Sequence, residues 1–314
     1  MPTTLTLRAQ AAAEAASRPD AWAGWRRRWA LRLPLLPALL VTVALTQLPF
    51  AMTLYYSLQR WNLLSLRPRR FVGLHNFVAA FNDSTFLHAL GNTLLMTGSI
   101  VVCSVLAGTL LAVGLNRPFL GRNLLRTLAI TPFFIMPVAA ALFWKAALFD
   151  PSFGLFGWLT ASLGLGRINW LSQHPMVSVV MISAWQWSSF VLMIILAGLQ
   201  SFPEEVEEAA LVDGATRAQI FRLLTLPHLR PFLELSALLV AMYALENFAA
   251  ISQLTAGGPA YATTNLSYYV YLQAFSAFSI GRASAYGAVS LLVALALVTP
   301  LLRLVSGILR LEGR

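Results

Sequence analysis

Long runs of residues without a formal charge constrain this chain more than any other feature of its sequence. Residues 33–59, 84–116, 168–203 and 283–302 contain no Asp, Glu, Lys or Arg. Each run is long enough for a helix to cross the hydrocarbon core of a bilayer, which takes roughly 20 apolar residues, and charges are costly there. Because 58% of the residues are hydrophobic and only 11% are charged, the composition argues against a soluble fold.

The sequence predicts an all-α membrane protein, because a backbone in lipid must satisfy its own hydrogen bonds. Six transmembrane helices are predicted near residues 33–58, 90–115, 124–148, 176–200, 232–254 and 285–307. Together they form a transmembrane domain over residues 33–308, flanked by an N-terminal segment, residues 1–32, and a C-terminal tail, residues 309–314. Within the N-terminal segment, residues 20–29 combine three Trp with three Arg, a composition typical of the lipid headgroup region. A nucleic-acid-binding arm has a similar composition, but we do not expect one beside a spanning helix.

The distribution of basic residues predicts the orientation of the chain in the membrane. Fifteen of the 22 Lys and Arg residues lie in the N-terminal segment, in the loops after the second and fourth predicted helices, and at the C-terminus. Cytoplasmic loops carry the excess of Lys and Arg, so both termini are predicted to be cytoplasmic. A cluster of Arg on the other side, at residues 67–70, opposes this orientation but is outnumbered.

Several kinds of site are excluded by inspection. The single Cys103 and four scattered His residues show no metal-ligand spacing, so no metal site is predicted. The only Lys, Lys145, does not belong to the Gly-Lys-Ser/Thr sequence of a phosphate-binding loop. No catalytic residue is predicted either, and if ATP drives this protein, another subunit must bind it.

The loop of residues 201–227 has a defined local chemistry. Ser201 and Glu204 have the spacing of a capping box, which predicts the start of a short helix. Asp213-Gly214 predicts its end, with Gly in the left-handed position and Asp available to cap the next helix. That second helix is expected to run from about residue 215 and to stop at Pro227.

Spaced residues in this loop resemble the EAA motif of ABC-importer permeases. The matching positions are Glu208, Ala209, Ala210, Gly214, Leu224 and Pro227; the family usually has Ile where this chain has Leu224. Further segments, among them Trp61-Asn-Leu63, Gly91-Asn-Thr93 and Leu254-Thr-Ala-Gly-Gly-Pro259, resemble the carbohydrate-uptake permeases of the maltose and glycerol-phosphate transporters. The resemblance covers roughly residues 33 to 307.

The resemblance implies a mechanism and a set of partners. In such permeases the EAA loop is the coupling helix, which docks on a cytoplasmic ATPase subunit. The chain would then bind no cofactor itself, and ATP and Mg would bind to two ATPase subunits. A second homologous permease would complete the pathway, and an extracellular binding protein would deliver a carbohydrate. The expected location is the inner membrane of a bacterial or archaeal cell, with no role for nucleic acid.

A sugar pathway needs amides, carboxylates and aromatic rings, and the fourth and fifth predicted helices supply them. The candidates are Gln186 and Trp187 from the fourth helix and Tyr243, Glu246, Asn247 and Gln253 from the fifth. Tyr243, Glu246 and Asn247 are expected on one helix face. Many relatives have Asp where this chain has Ala249, and Glu246 would substitute for it from one turn earlier. The alternative role for Glu246 is a salt bridge inside the bundle.

Three alternatives to a carbohydrate permease remain at this point. The same architecture imports glycerol-phosphate substrates, although a phosphate pathway would favour buried Arg and here Arg stays near helix ends. An ion-coupled secondary transporter would use ionisable groups at mid-membrane, where only Glu246 qualifies, and it has no use for the coupling loop. An intramembrane enzyme would need a paired nucleophile and base, and none is evident in the sequence.

Overall fold

A computed structural model describes residues 33–164 and 166–309 and divides the chain into two compact units, residues 1–55 and 56–314. In the first unit a short 3₁₀ turn, Leu33–Leu35, leads into helix α1, Leu36–Ser57. The apolar side chains of α1 are exposed on all sides of the helix, as for Leu45 at 71%. A helix that is apolar all round suits contact with lipid.

In its described residues, the second unit consists of helices, loops and one short hairpin. Its helices are α2 (His75–Asn82), α3 (Ser84–Asn116), α4 (Arg122–Phe134), α5 (Pro137–Phe143), α6 (Leu155–Ser162), α7 (Trp170–Gln173), α8 (Pro175–Gln200), α9 (Glu204–Val212), α10 (Arg217–Ile220), α11 (Leu226–Leu245), α12 (Ala249–Leu254), α13 (Leu266–Tyr271) and α14 (Ile280–Leu309). Wider π-type turns occupy Trp144–Leu148, Phe221–Thr225 and Leu272–Ser276. The hairpin pairs strand β1, Gln59–Arg60, with strand β2, Arg70–Phe71, in antiparallel register.

Within the described residues, five helices are long and apolar enough to span a membrane, or six if one bent pair is counted as a single span. The fold class predicted from the sequence is therefore confirmed. The first, second, fourth and sixth predicted helices correspond to α1, α3, α8 and α14, with boundaries within six residues of those expected.

The third predicted span, residues 124–148, is wrong as a single helix. It consists of α4 and α5, which meet at 105°. Pro137 begins α5, and Met136 before it adopts an extended ψ of 130°. A residue that precedes proline is pushed out of the helical region by the proline ring, so the chain turns sharply here.

The fifth predicted span, residues 232–254, is also wrong in its boundaries. A continuous helical segment, Arg217–Leu245, joins α10 to α11 through the π-type turn, and α12 is a separate helix. Between them, the Asn247 side-chain amide donates to Ser183 Oγ at 2.8 Å, and its backbone carbonyl accepts from Asn265 Nδ2 at 3.0 Å. Side-chain hydrogen bonds of this kind compete with helix continuation, and they hold the break at residues 246–248.

The centre of the second unit is the packing of α8 along α3. Gly108 of α3 allows the two backbones to approach closely, because a Cβ there would lie 2.7 Å from the Ser188 carbonyl oxygen and 2.6 Å from Val191 Cβ. Ile100, Ile182, Leu192 and Ile195 are fully or almost fully buried at this core. Small residues at such contacts are typical of helix pairs in membranes.

The 33-residue helix α3 is roughly 50 Å long, so its two ends define opposite ends of the unit. At its start, Asp83 caps the helix and accepts hydrogen bonds from the hydroxyls of Tyr269 and Tyr286 at 2.7 and 3.0 Å. Burial raises the pKa of the Asp83 carboxyl, but these bonds and those from the Phe86 and Thr85 backbone N–H groups outweigh it, and the pKa lies below its ordinary value. At the other end, residues 113–118 lie beside the loop of residues 201–227.

Candidate functional site

A cavity of about 250 Å³ lies where the bend between α4 and α5 faces the break between α11 and α12. Its walls also include one face of α8. Its lining residues are Phe133, Ile135, Pro137, Ser183, Gln186, Trp187, Tyr243, Glu246, Asn247, Phe248, Ala249 and Ala250. Irregular backbone at membrane depth is tolerated where it lines a cavity. The two interruptions that the sequence did not predict, the α4–α5 bend and the α11–α12 break, each form one wall of this cavity.

The cavity brings together five of the six predicted pathway residues: Gln186, Trp187, Tyr243, Glu246 and Asn247. Gln253 is not among its lining residues. It lies on α12, and its backbone carbonyl accepts from Lys145 Nζ at 3.1 Å. The expectation of one shared helix face is also wrong: Tyr243 lies on α11, whereas Glu246 and Asn247 lie beyond the last residue of that helix, Leu245.

Aromatic rings form one side of the cavity. The rings of Trp187 and Tyr243 stack with their centroids 4.7 Å apart and their planes 21° from parallel. Phe133 supports Trp187 edge-on at 6.0 Å. Sequence reasoning missed Phe133, because it belongs to the predicted third span and only the bend beside it aims that segment at α8. The result is a flat apolar surface of aromatic rings, more than half exposed at Tyr243 (55%).

Polar groups face the same space. Gln186 Nε2 donates to the Ile135 carbonyl at the α4–α5 bend, at 3.0 Å, which leaves its amide oxygen facing away from that bond. Asn247 is half-buried and Glu246 is exposed. Among the described residues the ion pairs are Arg217–Glu207 and Arg230–Glu234, so Glu246 does not form the alternative salt bridge within the described part of the bundle. The lining therefore combines stacked rings with amides and one carboxylate.

The second candidate region is the loop of residues 201–227. Helix α9 ends in a Schellman motif: the Ala215 N–H donates to the Ala210 carbonyl at 2.9 Å, and the Gly214 N–H donates to the Leu211 carbonyl at 3.1 Å. Gly214 adopts a φ of +81°, a left-handed conformation that favours glycine. The predicted role of Gly214 as the turn after the first helix agrees with this geometry.

Other details of the predicted loop are wrong. Ser201 does not cap α9; Pro203 occupies the cap position, and the Ser201 hydroxyl donates back to the Gly198 carbonyl at 2.9 Å. The capping box is instead formed by Thr216 and Gln219 at the start of α10, the helix for which the sequence predicts Asp213 as the cap. The second helix does not stop at Pro227 but continues into α11, because the π-type turn at Phe221–Thr225 precedes the proline, which sits in the first turn of α11. A proline is tolerated in a first turn, where its missing N–H has no partner to lose.

The short helix α9 presents its side chains outward. Glu208, Ala209 and Gly214 are exposed, Ala210 is half-buried, and the apolar side chains of Val206 and Leu211 are exposed at 41% and 43%. Leu224 is half-buried in the π-type turn and Pro227 is exposed. Arg217 and Glu207 form an exposed ion pair at 3.9 Å between α10 and α9. Four of the six predicted coupling residues are thus exposed at this end of the second unit.

Comparison with known proteins agrees with this arrangement. Residues 104–310 match the family model described as binding-protein-dependent transport system inner membrane component. The chain is 32% identical to the trehalose/maltose transport system permease protein MalF of Thermococcus litoralis, over 83% of this chain and 87% of that protein. It is 33% identical to the sn-glycerol-3-phosphate transport system permease protein UgpA of Yersinia enterocolitica, over 90% of this chain and 94% of that one.

A solved structure has the same fold. It is a bacterial alginate ABC transporter in complex with an alginate pentasaccharide-bound periplasmic protein. One of its chains superposes on this one with a TM-score of 0.76 at 26% identity, covering 90% of this chain and 96% of that chain.

Proposed function

The chain belongs to the family of inner membrane components of binding-protein-dependent transport systems. On this basis we propose a transport function and a substrate class for it. It is a multi-pass permease subunit of an ABC importer, not an enzyme. It forms half of a transmembrane pathway for a carbohydrate, a sugar or oligosaccharide, that an extracellular binding protein delivers. The relatives named for trehalose/maltose transport and for alginate transport support this substrate class.

The observation that carries the proposal is the composition of the cavity between α4, α8 and α11. The stacked rings of Trp187 and Tyr243 offer a flat apolar surface for the face of a sugar ring. Gln186, Asn247 and Glu246 offer donors and acceptors for its hydroxyls. Binding sites for small molecules combine apolar and aromatic walls with a few placed polar groups in this way.

ATP hydrolysis by partner subunits drives the proposed transport. The exposed surface of α9, with Glu208, Ala209 and Ala210, docks in a groove of an ATPase subunit, and Gly214 sets the bend after this helix. Small alanine side chains allow close approach, and the exposed Val206 and Leu211 add apolar contact. Two ATPase subunits bind ATP and Mg and perform the hydrolysis, and this chain binds no cofactor. A second homologous permease completes the pathway.

The proposed orientation follows from the position of that loop. Residues 201–227 lie at the C-terminal end of α3. The hairpin β1–β2 and α13 lie towards its N-terminal end. If the loop meets a cytoplasmic ATPase, the other end faces the binding protein outside the cell. If the bent pair α4–α5 is one span, the described residues cross the membrane six times, and both termini then lie in the cytoplasm of a bacterial or archaeal cell.

Import of a glycerol-phosphate ester is the second candidate, favoured by the 33% identity to the sn-glycerol-3-phosphate permease. A phosphate group would be recognised by Arg or Lys. The described residues that line the cavity include no Arg or Lys, and they include the carboxylate of Glu246. This electrostatic difference favours a neutral sugar.

The decisive experiment is uptake into proteoliposomes that contain the full chain with the subunits that copurify with it. A panel of labelled neutral sugars, acidic sugars and glycerol phosphate is presented with the binding protein, with and without ATP inside. We expect ATP-dependent uptake of a neutral sugar that ionophores do not abolish. Uptake that continues without ATP and stops when an ion gradient is dissipated would contradict the proposal in favour of a secondary transporter.

A further inference from the structure

An excess of arginine at the start of α3 is not used by the pathway or by the coupling loop. Arg60, Arg67, Arg69, Arg70 and Arg282 belong to this end of the unit. The only acidic residue in residues 56–100 and 255–290 is Asp83, and its carboxylate already caps α3 and accepts from two tyrosines. This end therefore carries a net positive charge that no internal carboxylate balances within those segments.

Two of these arginines line one polar cavity of about 340 Å³, which we call the arginine cavity. Arg60 and Arg282 line it together with His75, Trp61 and the amide side chains of Asn62 and Gln273. Neither arginine belongs to the ion pairs found among the described residues, which are Arg217–Glu207 and Arg230–Glu234. Two guanidinium-bearing side chains thus line one space, with the amides of Asn62, Asn76 and Gln273 in its walls. A pair of guanidinium groups suits a phosphate group.

The walls of the arginine cavity are held together by the backbone. The Asn62 side chain donates to the Ala277 carbonyl at 3.1 Å, the Leu63 N–H donates to the Phe278 carbonyl at 2.9 Å, and the Gly281 N–H donates to the Trp61 carbonyl at 3.0 Å. On the opposite side Gln273 donates to the Tyr269 hydroxyl at 3.0 Å, which in turn donates to Asp83. The cavity is therefore formed before any ligand arrives.

The position of the cavity identifies the source of the phosphate. Arg60 follows the end of α1 by three residues, and Arg282 is the third residue of α14, so both lie where spans leave the hydrocarbon core. Beside them, Leu63, Leu64 and Leu66 are exposed at 54%, 72% and 106%. The Arg69 guanidinium stacks 3.6 Å above the indole of Trp61. Arginine, tryptophan and exposed leucine in one surface segment are typical of the lipid headgroup region.

We propose that the arginine cavity binds the headgroup phosphate of an anionic phospholipid, with Arg60 and Arg282 as its ligands and the exposed leucines of residues 63–66 against the acyl chains. The arginines could also bind an acidic surface of a water-soluble protein, but such a partner would leave the exposed leucines in contact with water. The proposal depends on the chain spanning a membrane and is independent of the transported substrate.

Native mass spectrometry of the full chain, purified with its copurifying subunits, tests the site. The complex is incubated with mixtures of phosphatidylglycerol and phosphatidylcholine, without substrate or ATP, and the retained lipid is counted. The double variant Arg60→Ala/Arg282→Ala should retain about tenfold less phosphatidylglycerol, a change of about 1.4 kcal/mol, because it loses the charge-assisted hydrogen bonds to the phosphate. Phosphatidylcholine retention should not change.

The matched control is Arg67→Ala/Arg70→Ala, which removes the same charge from the same segment outside the cavity. An equal loss in this control would show diffuse attraction and overturn the site, as would unchanged retention in the cavity variant. Displacement of phosphatidylglycerol by millimolar inorganic phosphate would assign the site to a free anion instead. Unchanged lipid retention with weakened capture of the binding protein would assign the surface to docking. The readout involves no transport, so it stays separate from the test of the proposed substrate.

Discussion

The indole of Trp187 and the phenol ring of Tyr243 stack at 4.7 Å, joining α8 to the last turn of α11 at the wall of the pathway cavity. The two rings stack face to face, and Tyr243 remains more than half exposed. A platform made by two helices couples the geometry of the binding surface to the relative position of those helices. Any movement that separates α8 from α11 would dismantle it.

Replacement of Trp187 by Ala should therefore reduce the affinity for sugar more than it reduces the stability of the protein. An aromatic pair contributes about 0.5–1.5 kcal/mol beyond the burial of its area, and loss of the platform should raise the KM for uptake about tenfold. Trp187→Phe should restore most of the affinity. Trp158→Ala, at a 63% exposed position outside the cavity, is the control and should leave KM unchanged. An unchanged KM in Trp187→Ala would remove this ring from the pathway.

We expect Glu246 to make the cavity favour neutral over anionic substrates. In Glu246→Gln the neutral amide keeps an acceptor but loses the charge-assisted hydrogen bond to a sugar hydroxyl, which contributes about 1.5–3 kcal/mol. Uptake of the sugar at limiting concentration should fall about tenfold or more, and leakage of glycerol phosphate should rise as the repulsion disappears. Competition uptake of the two labelled compounds measures both effects. Improved sugar uptake in this variant would contradict the assignment.

The membrane spans could be predicted from the sequence where charges mark their ends, and the interruptions could not. Helix α3 fills its charge-free run completely, and α8 occupies most of another. The break after Leu245 falls at Glu246-Asn247-Phe248, within a segment predicted as one span. It is fixed by partners from elsewhere in the chain, Ser183 and Asn265. Hydropathy carries no information on such long-range hydrogen bonds.

In the candidate site, too, the sequence predicts local features and misses those that depend on contacts between distant segments. Five of the predicted pathway residues line the cavity, and chemical type alone predicts them, because rings, amides and a carboxylate are what a sugar requires. Gln253 was included on the assumption of one unbroken helix, and the separate helix α12 removes it from the cavity. Phe133 was missed because the 105° bend brings α4 to α8 only in three dimensions. The turn at Gly214 was predicted because its signal is local.

Gly214→Pro should uncouple transport from ATP hydrolysis. Proline fixes φ near −65°, whereas Gly214 has a φ of +81° and donates its N–H to the Leu211 carbonyl. The Schellman motif cannot form, and α9 loses its direction relative to α10. Gly214→Ala is the matched control: it keeps the N–H and bears about 1–2 kcal/mol of left-handed strain, with open space around the new Cβ. We expect near-normal coupling in Gly214→Ala and loss of substrate-stimulated ATPase in Gly214→Pro, with both variants present in the membrane.

Glu208→Arg should have the same effect on coupling through a different cause. Glu208 is exposed on α9, and a reversed charge there would repel a basic group of the ATPase. The variant should lose substrate-stimulated ATPase and copurify poorly with the ATPase subunits. Asp213→Arg, which reverses a charge at the exposed C-cap of the same helix, is the control and should copurify normally. Full copurification and coupling in Glu208→Arg would show that this carboxylate is not part of the docking surface.

The break beside the pathway depends on Asn265, which is 1% exposed. Its amide donates to the Asn247 carbonyl at 3.0 Å, and its side-chain oxygen accepts from the Tyr268 N–H at 2.8 Å to cap α13. Asn265→Ala removes both interactions, at a cost of about 1 kcal/mol for the cap and about 1–3 kcal/mol for the unsatisfied carbonyl. Asn265→Ser keeps a capping oxygen and loses the bond to Asn247, so its melting temperature should lie between those of the wild type and Asn265→Ala. Equal melting temperatures for the wild type and Asn265→Ser, measured on the purified complex, would show that the Asn247 bond does not hold the break.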